Sequence, residues 1–180
     1  GLDASTVYVI SLWNGQSKRG SVTSSTSAET PKGDYEYTLS SSETVISQDM
    51  MNSIAENAMA AAGSKTAYSA TIKIPQGATI DIVGTSTDGS AASVKIPDGM
   101  SVTFFGEGGM GAYVKLSKSI NLAGTHGNVT FQNLDITDGG CQYLINQSAD
   151  AIVDKLAFDG CSIHDLDRSI VRTQSANIII

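Results

Sequence analysis

Apolar and polar positions alternate along many short segments of this chain, and three of those segments return at one interval. Val102-Thr103-Phe104, Val129-Thr130-Phe131 and Leu156-Ala157-Phe158 lie 27 residues apart (129 − 102 and 156 − 129). Leu134 then matches Cys161, Ile136 matches Ile163, Asp138 matches Asp165, and Gln147-Ser148-Ala149 matches Gln174-Ser175-Ala176. Upstream, Ile72-Lys73-Ile74-Pro75-Gln76-Gly77 returns as Val94-Lys95-Ile96-Pro97-Asp98-Gly99, and Ile80 returns as Val102, both at a spacing of 22 (94 − 72 and 102 − 80). Strand-bearing repeats of this length predict a solenoid, because one unit buries its apolar face only against its neighbours.

The alternation predicts two strands per coil: 72–74 and 80–83, 94–96 and 102–105, 113–116 and 129–133, 143–146 and 156–159, 170–172 and 178–180. Val102 and Phe104 point inward and Thr103 outward, since successive strand side chains take opposite faces. Gly84, Gly106, Asn133 and Gly160 fall at strand ends, where a sharp turn favours Gly or Asn. Residues 47–63 predict a helix. Ser47 is the N-cap, Asp49 suits the first turn, and Gly63 ends it. Met51, Ile54, Ala55, Ala58, Met59 and Ala62 form one stripe, suited to covering the first coil. Residues 32–46 read as a linker with one strand, Tyr35 to Leu39, and residues 64–180 as the solenoid, cut at an apolar 178–180 end. That end is expected to meet further coils or another chain.

Residues 1–31 stand outside the repeat. Leu2, Ala4, Thr6, Tyr8 and Ile10 alternate, Asn14-Gly15 marks a turn, and Lys18 to Thr23 resumes the chain as a second strand. The Leu2-x-Ala4-x-Thr6-x-Tyr8 spacing resembles the tyrosine corner of a fibronectin type III domain, of which only the last two strands would be present.

Composition narrows the partners. The net charge is −7 and the eleven Lys and Arg are scattered, which argues against nucleic acid. No apolar run is long enough to cross a bilayer. Cys141 and Cys161 read as two unpaired thiols, since Cys161 takes the inward slot of Leu134. The run from Gly106 to Gly111 fits G-x-G-x-x-G but leads into another strand rather than a helix, so it offers no phosphate site.

The segments NVTFQNLDITDGGCQYLINQSAD and KLAFDGCSIHDLDRSIVRTQSANI resemble the pectate-lyase-like right-handed parallel β-helix superfamily. More closely, they look like β-helix domains that follow a fibronectin type III domain in surface lipoproteins of glycan-foraging Gram-negative bacteria. The resemblance implies an exported protein, at the outer-membrane surface or in the periplasm, held by a lipid anchor outside this segment. It implies association with polysaccharide and does not imply catalysis.

Pectate lyases use outward acids on adjacent coils to hold calcium against an acidic sugar, and an arginine to remove a proton. The matching candidates are Asp138 and Asp165 as metal ligands, with Arg168 and Arg172 as base or carboxylate clamp. Stacked carboxylates either raise a pKa or recruit a cation; turn aspartates also commonly bond their own backbone. The family's acidic trio with its arginine is incomplete here. His164, outward opposite Thr137, needs a partner to act as a general acid, and the sequence names none. Asp135 and Asp167 stand nearby, and Tyr113 and Tyr143 offer aromatic faces for sugar rings if outward. The expected function is non-catalytic binding of an extended polysaccharide. The alternatives are a calcium-dependent lyase or hydrolase, and a structural or adhesion module.

Overall fold

The structure is a computed structural model. It describes residues 7–14, 17–25, 32–109 and 111–173, the first two stretches by backbone alone. The chain divides into two compact units, residues 1–31 and 32–180. In the first, β1 (Val7–Asn14) and β2 (Ser17–Ser25) pair antiparallel, Val7 opposite Ser25, with a register shift between Leu12 and Trp13. Leu2, Ala4, Thr6 and the turn residue Gly15 lie outside the described residues, as do Gln174 and the 178–180 strand.

The second unit opens with β3 (Tyr35–Thr38), β4 (Val45–Ile46) and the helix α1 (Gln48–Ala62). Both ends of α1 follow from local chemistry. Ser47 is extended and its hydroxyl accepts from the Met50 N–H at 3.2 Å. Gly63 adopts the left-handed region (φ 64°) and its N–H reaches the Met59 carbonyl. Met51, Ile54, Ala55 and Ala58 are buried, and the helix packs on β3 and on β5 (Tyr68–Ile74).

The chain continues through β6 (Thr79–Ile82), β7 (Gly84–Thr85), β8 (Ala91–Ala92), β9 (Met100–Gly106) and β10 (Ala112–Leu116). It closes with β11 (Ile120–Leu122), β12 (Thr125–Gln132), β13 (Leu134–Asp138), β14 (Tyr143–Gln147), β15 (Ile152–Asp159), β16 (Ser162–His164) and β17 (Ser169–Thr173). The fold is predominantly β, with parallel sheets. One sheet runs β3-β5-β9-β12-β15, a second β4-β6-β10-β13-β16, and a third β11-β14-β17. In each, neighbours follow chain order and every pairing is parallel. Among the described residues of this unit β7 and β8 alone depart, pairing antiparallel as a small side excursion.

The 27-residue interval is the register of the first sheet: Val102, Val129 and Leu156 stand side by side, as do Phe104, Phe131 and Phe158. The three rings stack at centroid separations of 5.0 Å with planes 13° and 11° apart. Phe104 and Phe131 are fully buried, so the inward assignment of the Val/Phe face holds. Ile136 opposite Ile163 and Thr137 opposite His164 carry the same interval into the second sheet. At the corner between these sheets Asn133 and Gly160 take positive φ (55° and 59°). The equivalent Gly106 has no room for a Cβ, which would overlap the Asn133 carbonyl oxygen.

Four expectations change. The later passes carry three strands each, not two: β13 and β16 follow directly on β12 and β15, with only one and two residues between, so each pair reads as one strand in the sequence. The 22-residue interval is not a pairing register. Ile72 stands beside Phe104 and Ile80 beside Val114, while Lys95 bridges Asn121. What the two similar segments share is their turn: Pro75 and Pro97 each precede a left-handed glycine, Gly77 (φ 80°) and Gly99 (φ 79°). Gly84 opens β7 rather than marking the Gly106 corner. Finally, residues 32–46 are no linker, since β3 pairs with β5 and β4 with β6.

The third sheet shifts by one residue. Tyr143 stands beside Ser169 and Gln147 beside Thr173, an interval of 26 (169 − 143 and 173 − 147). The buried Gln147 accepts from the hydroxyl of Thr173, its neighbour in this register, at 3.4 Å.

Phe131→Ala should destabilise the protein by about 3–5 kcal/mol in urea unfolding, because it leaves a hole between two stacked rings. Thr130→Ala, on the opposite face of the same strand, should cost less than about 1 kcal/mol. Equal losses would contradict the face assignment.

Candidate functional site

The outer face of the second sheet gathers the first group of candidates. On β10, Tyr113 is 45% exposed and stands beside Asp135 of β13, which stands beside Ser162 of β16. Two positions along, Lys115, Thr137 and His164 form the next outward row. His164 Nε2 contacts Asp135 Oδ1 at 2.7 Å, and its Nδ1 contacts Asp165 Oδ2 at 2.8 Å. Asp165 reaches back to its own neighbour because its backbone is left-handed (φ 55°).

Only the imidazolium donates from both ring nitrogens; the neutral ring leaves one carboxylate facing a lone pair. The hydrogen bonds to Asp165 and Asp135 therefore raise the His164 pKa above its ordinary value. The partner that the sequence did not name is Asp135. It sits diagonally, two positions from Thr137 on the same face, and same-face diagonals are within reach of long side chains.

Asp138 and Asp165 do not work as a carboxylate pair. Asp138 Oδ1 accepts from the Gly140 and Cys141 N–H groups at 2.5 and 2.7 Å, and its Oδ2 accepts from the Asp167 N–H at 3.2 Å. Burial alone would raise its pKa, but donation from Gly140, Asp167 and Cys141 outweighs it and holds the carboxyl below its usual value. Asp138 thus closes the turn after β13, while Asp165 serves His164. Among the described residues, no group of three or more His, Cys, Asp or Glu side chains is placed to hold a metal ion. Asp138, Asp165 and Asp167 do line one cleft of about 420 Å³, together with Gly140, Gln142 and Leu166.

Cys141 lies against that turn, buried, and its thiol is pushed up to about 12 by burial and then by Asp138. Cys161 is also free, and burial raises its pKa as well. Both thiols are poor nucleophiles in this state.

The remaining candidates meet on the third sheet. The Arg168 and Arg172 guanidinium carbons each lie 5.8 Å from the centroid of the Tyr143 ring. Arg168 Nη1 donates to the Tyr143 hydroxyl at 3.2 Å, and its Nε lies 4.0 Å from Asp167. Beside them Asn146 donates to Asn121 at 3.2 Å across adjacent strands. Tyr143 is partly buried and has two arginines near its ring, whereas Tyr113 is open, so the two tyrosines are not equivalent platforms.

His126 escaped the sequence reading, because nothing in its spacing marks it. It is buried, with Nε2 against the Ala123 carbonyl at 2.9 Å, and burial depresses its pKa.

No family model, curated protein or solved structure matches this chain.

The His164 bridge has a definite pH signature. Its folded pKa is raised, so its contribution is fully present below the unfolded value of about 6.5 and is lost as pH rises through the folded pKa. The stability difference between wild type and His164→Gln should be largest in mildly acid solution, below about pH 6.5 but above the range in which carboxylates protonate, and vanish in alkali. Thermal unfolding across pH, with NMR titration of the ring, measures it. A His164 midpoint below about 6.5 would contradict the bridge.

Proposed function

We propose that residues 32–173 form a right-handed parallel β-helix whose outer surface binds an extended polysaccharide without cleaving it. The observation that carries this reading is Tyr113, an open aromatic ring on a polar sheet face with Asp135 beside it. The apolar face of a sugar ring stacks on such a surface, and neighbouring carboxylates accept its hydroxyls. A row of outward groups repeated from strand to strand suits a ligand that itself repeats.

The solenoid reading draws on three parallel sheets whose strands follow chain order. The right hand follows from the near-universal handedness of parallel crossovers. Among the described residues no helix is long and apolar enough to cross a membrane. Export to the outer-membrane surface or periplasm, with a lipid anchor outside this segment, rests on the resemblance to bacterial surface lipoproteins. So does the fibronectin type III character of residues 1–31. Against a calcium-dependent lyase or hydrolase stands the use of both Asp138 oxygens by backbone N–H groups.

Native electrophoresis through gels containing polygalacturonate, xylan or other plant glycans tests the reading, with calcium or a chelator present. Retardation without depolymerisation is expected, insensitive to the chelator and weakened about fivefold by Tyr113→Ala. A cleared track would make the protein an enzyme, and calcium-dependent retardation would restore the metal site. Unretarded migration in every gel would leave the structural or adhesion alternative.

A further inference from the structure

We propose that Tyr143, Arg168 and Arg172 form a receptor for a tetrahedral oxyanion, a sulfate or phosphate ester carried by the bound glycan. The ester's carrier rests on the glycan reading; the anion chemistry does not. The chain has three arginines, Arg19, Arg168 and Arg172, in a sequence of net charge −7. Two of them converge on one ring. Gathering like charges costs Coulomb energy, which the negative face of the tyrosine ring offsets in part and a bound anion offsets further.

Neither guanidinium is neutralised closely. Arg168 has Asp167 only at 4.0 Å, with both side chains more than half exposed. Among the described residues Arg172 has no carboxylate in ion-pair reach. Both guanidinium groups rest near the ring and Arg168 also bonds the Tyr143 hydroxyl; both residues are exposed, which leaves N–H donors open to a ligand.

The donor number selects the anion. A carboxylate presents one two-oxygen edge, which matches a single guanidinium fork. A sulfate or phosphate ester has three terminal oxygens and can present an edge to each of two forks. Asp167 and the acidic cleft beside it oppose anions in general, so a ligand with one fixed anionic group fits better than a uniformly charged chain.

The test compares matched polymers in native gels at near-physiological salt: dextran, sparsely sulfated dextran, dextran bearing sparse phosphate monoesters, and polygalacturonate. The sparsely sulfated dextran, the phosphate-monoester dextran or both should retard the wild type, and whichever acts names the ester. Dextran should not, and polygalacturonate should act at least about tenfold more weakly. The pair Arg168→Gln/Arg172→Gln should cut retardation at least about tenfold, and Arg172→Lys, which keeps charge but loses the fork, should cut it as well. Thermal unfolding verifies that each variant folds.

Equal retardation by polygalacturonate, or full retardation of the double variant, would overturn the assignment. So would a protein that binds xylan but ignores both esters. A protein retarded by an ester polymer but by no neutral glycan would sink the Tyr113 reading and leave this one standing.

Discussion

Side-by-side pairing of parallel strands, each brought to its neighbour by a full pass of the chain, is what the rest of the second unit depends on. Parallel neighbours cannot be joined by a tight turn, so each ladder is closed by residues distant in sequence. Such ladders hold only if the side chains behind them fit at every level. The column Ile72, Phe104, Phe131, Phe158 and the column Ala70, Val102, Val129, Leu156 meet that demand in the first sheet. Ile80, Val114, Ile136 and Ile163 do so in the second. On the side of β3 and β5, α1 covers what would otherwise be an open apolar surface.

How much of this was legible depended on how far each signal exceeds its local noise. The Phe column could be read because three near-identical segments repeat at one interval and the ring must face its equivalents. The helix was equally plain, since cap, first turn, stripe and terminal glycine all agree. The 22-residue interval misled because similar turns produce similar sequences wherever they occur; the match at Pro75 and Pro97 reported a shared corner geometry, not adjacency. Strands of two or three residues, such as β4 and β16, have no period to detect and exist only through their partners.

The candidate site was legible as a set of residues but not as a set of contacts. Register placed His164 outward beside Thr137 correctly, yet its chemistry lies on a diagonal with Asp135 and in the left-handed turn of Asp165. Asp138 looked like half of a metal pair because sequence shows that two carboxylates align. It does not show that backbone donors have already occupied one of them. The arginines converge on Tyr143 through long, flexible stems, and no spacing rule encodes that.

The one-residue offset of the third sheet has a wider meaning. Between Thr137 and Tyr143 the chain takes one residue more than between His164 and Ser169, yet Ile145 and Val171 still stand together toward the interior. The corner absorbs the difference in length, and inside stays inside. Corners therefore act as slip joints. Residues can be gained or lost there and the outward decoration rewritten, while the interior columns remain unaware of the change.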